Sequence, residues 1–247
     1  MSNSPLVSYT KLSPNHSGQR THAVDRITPH CVVGQCSVET LGNIFAPTSR
    51  QASCQYGIGV DGRVGMYVEE KNRSWCSSSN ANDQRAITIE CASDATHPYA
   101  FNDTVYAKLI ELCTDICKRY GKTKLLWFGD KTKTLNYEPA SNEMVLTVHR
   151  WFANKSCPGD WMYARMGDLA SKVTAKLGGS AGGTEKPADN KVLYRVQTGA
   201  FSNKANADAM LQKVKAAGFD TYMVKVDNLY KIQVGVFSKK TNADAMG

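Results

Sequence analysis

One segment of the sequence, residues 177–190, decides how the chain divides into folding units. It reads Leu-Gly-Gly-Ser-Ala-Gly-Gly-Thr-Glu-Lys-Pro-Ala-Asp-Asn and has no apolar period after its first residue, which is typical of a flexible linker. All eight cysteines and all five histidines precede it. Because the composition changes across this segment, we predict a domain at residues 1–176, a linker at 177–190 and a second domain at 191–247.

The charge and hydropathy of the chain limit its partners. The net charge of +8 suits a polyanion, such as nucleic acid, anionic lipid or an acidic cell-wall polymer. No run of about 18 apolar residues is present, so we predict no transmembrane segment. The N-terminus lacks a basic stretch followed by an apolar one, so we expect no secretory signal peptide.

The cysteines do not form the pattern of a disulfide framework. They contain no Cys-x-x-Cys pair, and a chain of 247 residues without an export signal does not need covalent cross-links. We therefore predict free thiols. Cys113 and Cys117 lie four residues apart on a predicted helix and are expected to be buried as small hydrophobic residues.

Strands and helices alternate in the first domain, which predicts an α/β (α+β) fold. Asp61-Gly62 between two apolar segments is a strong hairpin signal. Asn102 or Asp103 is suited to cap a helix that Gly121 ends. The predicted elements are strands at 24–33, 55–60, 63–68 and 86–91, and helices at 103–120 and from about Ser141 to Phe152.

A histidine and a cysteine near the end of the first domain have the chemistry of a metal site. His149 is predicted near the C-terminal end of a helix, and Cys157 follows in a turn fixed by Pro158-Gly159. Imidazole and thiolate are both good zinc ligands, and a catalytic zinc needs a third protein ligand. His30, at the end of the first predicted strand, is the natural candidate.

These motifs, in this order, resemble the type 2 N-acetylmuramoyl-L-alanine amidases, which are related to peptidoglycan recognition proteins and common as phage endolysins. The matching features are His30, the Tyr56…Asp61-Gly62 hairpin, Ile87-Thr-Ile-Glu90 and His149…Lys155-x-Cys157-Pro-Gly. The resemblance implies a mixed central sheet flanked by helices, with Zn²⁺ bound by His30, His149 and Cys157. It also implies hydrolysis of the amide bond between N-acetylmuramic acid and L-alanine in bacterial peptidoglycan.

Two further residues suit that reaction, and one aromatic residue suits the substrate. Glu90 should face the side of the sheet opposite Ile87, Ile89 and Cys91, where it could act as the general base. Lys155 lies two residues before Cys157, so its ammonium could stabilise a developing oxyanion. Trp75, in a polar stretch, is the candidate for an exposed substrate contact.

The second domain contains an internal repeat with an offset of 36 residues. Tyr194–Met210 matches Tyr230–Met246, and each copy runs from a strand through Gly-x-Phe-Ser into a helix. The order β-α-β-β-α resembles the SPOR family of peptidoglycan-binding modules, a split βαβ fold that is incomplete here at its C-terminus. The alternation predicts that one face of the sheet is covered by the helices and presents to them Val196, Thr198, Ile232 and Val234. The polar residues between them should then lie on the open face. By this resemblance they are candidate glycan contacts: Arg195, Gln197, Lys231 and Gln233.

Other functions stay open at this stage. The first alternative is a non-catalytic peptidoglycan-recognition protein with a structural zinc. The second is a zinc domain that binds nucleic acid, which the absence of paired cysteines and of a nucleic-acid motif disfavours. For the amidase, synthesis in the cytoplasm without a signal peptide fits a phage or prophage lysin that reaches the cell wall after release.

Overall fold

The computed structural model describes residues 2–178, 194–217, 221–226 and 228–237. The chain divides into two compact units, Met1–Pro187 and Ala188–Gly247. Most of the predicted linker, residues 179–190, lies outside the described residues, so its flexibility stays a prediction.

The first unit is built on a mixed sheet of seven strands in the order β1-β5-β4-β7-β3-β9-β8, beside a two-stranded sheet of β2 and β6. In the large sheet only the β4–β5 pair is antiparallel. The strands are β1 (Val7–Thr10), β2 (His16–Gln19), β3 (Arg26–Cys31), β4 (Tyr56–Ile58), β5 (Val64–Met66), β6 (Asn72–Ser74), β7 (Ala86–Cys91), β8 (Lys124–Leu126) and β9 (Glu143–Leu146).

Helices flank this sheet, as expected for the predicted α/β class. They are α1 (Val38–Phe45), α2 (Asn80–Arg85), α3 (Asp103–Arg119), α4 (Lys131–Asn136), α5 (Asp160–Tyr163) and α6 (Met166–Lys176). The main buried cluster joins the apolar sides of α3 and α6 to the sheet, including Ile87, Ile89 and Cys91 of β7. A smaller cluster joins Leu41 and Phe45 of α1 to Cys54 and Tyr67.

Several predicted elements of this unit are confirmed. Strand β7 has the predicted bounds, and β4 and β5 pair across the Asp61-Gly62 turn. The side chain of Asn102 accepts a hydrogen bond from the backbone of Val105 and so caps α3. All eight cysteines are free, and Cys113 and Cys117 are buried on α3.

The predicted helix from Ser141 to Phe152 is wrong. This segment instead forms strand β9 followed by a short 3₁₀ helix at His149–Trp151. Met144, Val145 and Leu146 are all buried, and a short apolar run of this kind fits a buried parallel strand as well as a helix face. His149 therefore begins a 3₁₀ turn after a strand, and does not lie at the C-terminal end of a helix.

The second unit has the predicted β-α-β-β order in its described part. Strands β10 (Tyr194–Phe201), β11 (Thr221–Val226) and β12 (Leu229–Phe237) form an antiparallel sheet in the order β10-β12-β11, with α7 at Lys204–Ala216. Ile232 and Val234 are buried, as expected of the covered face. The start of the predicted second helix, near the C-terminus, lies outside the described residues.

One expectation for this sheet is wrong. The alternation predicts that Thr198 faces the helix, but its side chain is exposed. The pairing register between β10 and β12 shifts between Gln197 and Gly199. A bulge of this kind interrupts the two-residue alternation of a strand, which explains why the pattern failed at this position.

Within the described residues, no helix combines the length and apolar character that crossing a bilayer requires.

Candidate active site

The pairing of three parallel strands places the candidate residues at one edge of the large sheet. Strand β3 lies between β7 and β9, and all three run in the same direction. His30 is the register partner of Glu90. Ile27 pairs with Leu146, so His30 and His149 each lie three residues beyond a paired position. The carboxyl ends of parallel strands meet at one edge, which is where ligand sites of α/β sheets commonly lie.

The three predicted metal ligands lie together at this edge. His30, His149 and Cys157 each offer a ligand atom, and these atoms lie within 4.8 Å of one another. His30 Nδ1 is 3.3 Å from Cys157 Sγ, and the two imidazole rings are 5.1 Å apart between centroids. The backbone N–H of Cys31 also points at Cys157 Sγ, at 3.4 Å.

The local chemistry of these three residues fits a zinc ion. Two imidazole nitrogens and one sulfur are the donors that Zn²⁺ prefers, and three protein ligands are typical of a catalytic zinc with an open position. Burial, with a smaller contribution from His149, lowers the pKa of His30 well below its usual value. Burial, and then the ammonium of Lys155, lowers the pKa of His149. Both rings are therefore neutral near pH 7, which is the form that binds a metal.

Sequence reasoning missed a serine that contacts one of these ligands. Ser78 Oγ lies 2.9 Å from His149 Nε2, which leaves Nδ1 as the nitrogen available to a metal. A hydroxyl group bonded to the far nitrogen of a ligating imidazole fixes the orientation and the tautomer of the ring. The contact joins residues 71 positions apart, and Ser78 lies in a serine-rich stretch that gives no local signal for it.

Glu90 faces the same side of the sheet as His30, opposite the core residues Ile89 and Cys91, as predicted. Its Oε1 is 4.0 Å from His30 Nδ1. The Cys76 thiol donates to the same oxygen at 3.9 Å, while Oε2 is buried with no partner among the described residues. Burial raises the pKa of Glu90 to about 7, and the nearby charge of Arg50 and the Cys76 hydrogen bond oppose this shift only in part. A carboxyl group with a pKa close to neutrality is suited to general base catalysis.

Glu90 and His149 open onto a cavity of about 740 Å³. Lys155 is exposed at its wall, and Trp75 lines it as well, with its indole N–H donating to Ser17 Oγ at 2.6 Å. The cavity is large enough for part of a saccharide–peptide chain. The structure therefore brings together the predicted metal, catalytic and aromatic residues of the first unit.

The four candidate glycan contacts belong to the second unit. Gln197 is exposed on β10, and Lys231 and Gln233 are half-buried on β12. The side chain of Arg195 lies outside the described residues. Their role in binding glycan stays a prediction.

The family relationship of the chain follows from its sequence. Residues 19–160, more than half of the chain, match the family model of N-acetylmuramoyl-L-alanine amidases. The chain belongs to this amidase family. Residues 190–246 match the family model of the SPOR domain, so the resemblance of each part of the chain is confirmed.

Several solved structures, endolysins among them, are similar to this chain. PlyL has 14% identity and a TM-score of 0.48 and covers 67% of this chain and 95% of its own. A selenomethionine derivative of AmpD has 19% identity and a TM-score of 0.46, covering 66% of this chain and 93% of its own. The amidase LysC from Clostridium intestinale URNW has 17% identity and a TM-score of 0.43, covering 70% and 96%. No curated protein matches the chain in sequence.

Proposed function

We propose that this amidase is a zinc-dependent hydrolase that cleaves the amide bond between N-acetylmuramic acid and L-alanine in bacterial peptidoglycan. The observation that carries the proposal is the cluster of His30, His149 and Cys157, with ligand atoms within 4.8 Å of one another beside the largely buried carboxyl group of Glu90. The family to which the chain belongs supports the choice of bond.

His30, His149 and Cys157 would bind the zinc ion. When bound in such a site, zinc lowers the pKa of a water molecule and polarises a carbonyl oxygen. Glu90 accepts a proton from the attacking water, because its carboxyl group opens onto the cavity and its pKa of about 7 leaves much of it ionised at neutral pH. The same carboxyl group then gives the proton to the amine of L-alanine as the carbon–nitrogen bond breaks.

Lys155 and Trp75 contribute to the substrate side of this proposal. The ammonium of Lys155 is exposed at the cavity wall, where it can stabilise negative charge developing on the carbonyl oxygen. The indole ring of Trp75 offers an apolar surface to a sugar or a peptide.

The second unit would tether the enzyme to its insoluble substrate. We propose that Arg195, Gln197, Lys231 and Gln233 contact glycan strands, and that residues 177–190 act as the linker between the catalytic and binding domains. A weak glycan binder linked in this way raises the local concentration of the enzyme on the wall. Residues 191–247 contain nine basic and four acidic residues, which favours an anionic wall. Action on the wall after release, as by a phage or prophage lysin, agrees with this arrangement.

The test is digestion of purified peptidoglycan by the full chain, with chelator and with zinc added back. We expect new alanine amino groups without new reducing sugar ends, and we expect the activity to disappear on chelation and return with zinc. Glu90→Gln is the matched variant, because it keeps the size of the side chain while removing the base. New reducing ends would instead identify a glycosidase and refute the proposal. Binding to the wall without release of either group would favour a peptidoglycan-recognition protein with a structural zinc.

A further inference from the structure

A second set of metal donors lies beside the proposed zinc ligands. His30, Cys76 and Glu90 each offer a ligand atom, and these atoms also lie within 4.8 Å of one another. The Cys76 sulfur is 3.9 Å from Glu90 Oε1, and that oxygen is 4.0 Å from His30 Nδ1. One nitrogen, one sulfur and one carboxylate oxygen form a donor set that zinc and other divalent transition metals accept.

Two residues of this set each carry one further polar atom without a partner. Glu90 Oε2 and His30 Nε2 are both buried without a hydrogen-bond partner among the described residues. Buried polar atoms are nearly always paired, so the unpaired oxygen of Glu90 beside this cavity points to a ligand that binds the carboxyl group. Cys76 and Glu90 both line the 740 Å³ cavity, which provides an entry path from solvent.

We propose that His30, Cys76 and Glu90 form a second metal site that competes with the catalytic site for His30. The same nitrogen, His30 Nδ1, faces Cys157 at 3.3 Å and Glu90 at 4.0 Å, so one ion at a time can use it. The ion in this competing site binds Cys76 as a thiolate, whose proton leaves to solvent. It also occupies the Glu90 carboxylate, so a chain loaded in this way lacks its general base.

This proposal rests on the proposed function only in its consequence for activity, because the site itself is tested by metal binding. Cobalt(II) is the probe, since a cobalt–thiolate bond gives a charge-transfer absorption that a thiol-free site lacks. Cys157→Ser removes the sulfur of the catalytic site. We expect this variant to bind one cobalt ion per chain with a sulfur charge-transfer band. The band and the ion should both be lost when Cys76→Ser is added.

Cys36→Ser is the matched control, because Cys36 is another half-buried thiol of the same unit and belongs to neither donor set. The double variant of Cys157→Ser with Cys36→Ser should keep the band. A folded Cys157→Ser protein without the band, or a band that survives Cys76→Ser, would overturn the proposal. If the Cys157→Ser protein does not fold, the same comparison on Cys157→Ala, which leaves no donor atom at this position, decides the question.

The two proposals fail in different ways. A native chain that never releases alanine amino groups refutes the amidase, whatever the cobalt spectra show. An active native chain whose Cys157→Ser variant shows no sulfur band refutes the competing site alone.

Discussion

Replacing Glu90 by Gln should stabilise the metal-free protein, by an amount that grows with pH. Glu90 has a folded-state pKa of about 7 because it is buried, while its ordinary value is 4.5. The folded chain therefore loses stability as the pH rises from about 4.5 through about 7. A shift of this size corresponds to about 3 kcal/mol above pH 7, at about 1.4 kcal/mol for each pKa unit. The amide of Gln does not ionise, so the variant should escape this loss.

Denaturation by urea in the presence of chelator, at several pH values from 4.5 to 8, measures this difference. All four tryptophans, Trp75, Trp127, Trp151 and Trp161, belong to the first unit, so their fluorescence follows its unfolding. The advantage of Glu90→Gln over the native chain should be near zero at pH 4.5 and about 3 kcal/mol at pH 8. A difference that stays constant across this range would refute the reasoning.

Substitution of a second glutamate, Glu70, provides a control, because it should change the stability of the fold in the opposite direction. Glu70 is 1% exposed, and its Oε1 accepts hydrogen bonds from Tyr56 and Arg119, both at 2.6 Å. Glu70→Gln removes one of the two carboxylates paired with the largely buried guanidinium of Arg119, the other being Asp115, so it should destabilise the fold by up to about 3 kcal/mol. Both substitutions keep the shape of the side chain. If Glu90→Gln stabilises the fold at pH 8 and Glu70→Gln destabilises it, the Glu90 carboxylate costs stability, as expected of a catalytic group, and the Glu70 carboxylate contributes stability.

Three further predictions concern the site and the second unit. Ser78→Ala should weaken zinc binding about 10–100-fold, measured by competition with a chromogenic chelator, because His149 Nε2 loses its partner. Lys155→Ala should lower kcat by about 10²–10³-fold with little change in KM, and Lys155→Arg should restore part of it. Adsorption of the full chain to purified walls should fall as salt is added. Adsorption should also fall in the double variant Lys231→Ala, Gln233→Ala. Adsorption that is unchanged by salt and by this double substitution would exclude a charge-assisted contact by these residues.

Local sequence signals predicted the elements whose structure depends on near neighbours. The Asp61-Gly62 turn, the cap at Asn102 and the alternation in β7 each involve residues only a few positions apart. Local signals gave the wrong element for Met144–Leu146, because a parallel strand buried on both faces is continuously apolar and lacks the alternation of polar and apolar residues. Strands β1 and β2 were not predicted at all. Both are short and half-exposed, and they obtain their order from pairing with β5 and β6.

The metal ligands could be proposed from residue type, but their surroundings could not. His30 and His149 are 119 positions apart in the sequence, and the β3–β9 register that aligns them follows from long-range pairing. That Glu90 Oε2 has no partner among the described residues depends on which groups the fold places out of its reach, and no pattern in the sequence predicts this. The contacts of Cys76 with Glu90 and of Ser78 with His149 also depend on long-range folding and could not be predicted from the sequence.

Those two contacts arise from one segment, residues 76–78, which lies between β6 and α2. Cys76 contacts Glu90 and Ser78 contacts His149, so this segment touches the candidate base and a candidate ligand at once. The buried carboxylate of Asp83 on α2 accepts hydrogen bonds from the backbone N–H groups of Cys76 and Ser77, all between 3.1 and 3.2 Å. Since Asp83 reaches neither the candidate base nor the ligands itself, it acts as a positioning residue for both. A change at α2 should therefore alter metal affinity and general base catalysis together, although α2 contributes no residue to either donor set.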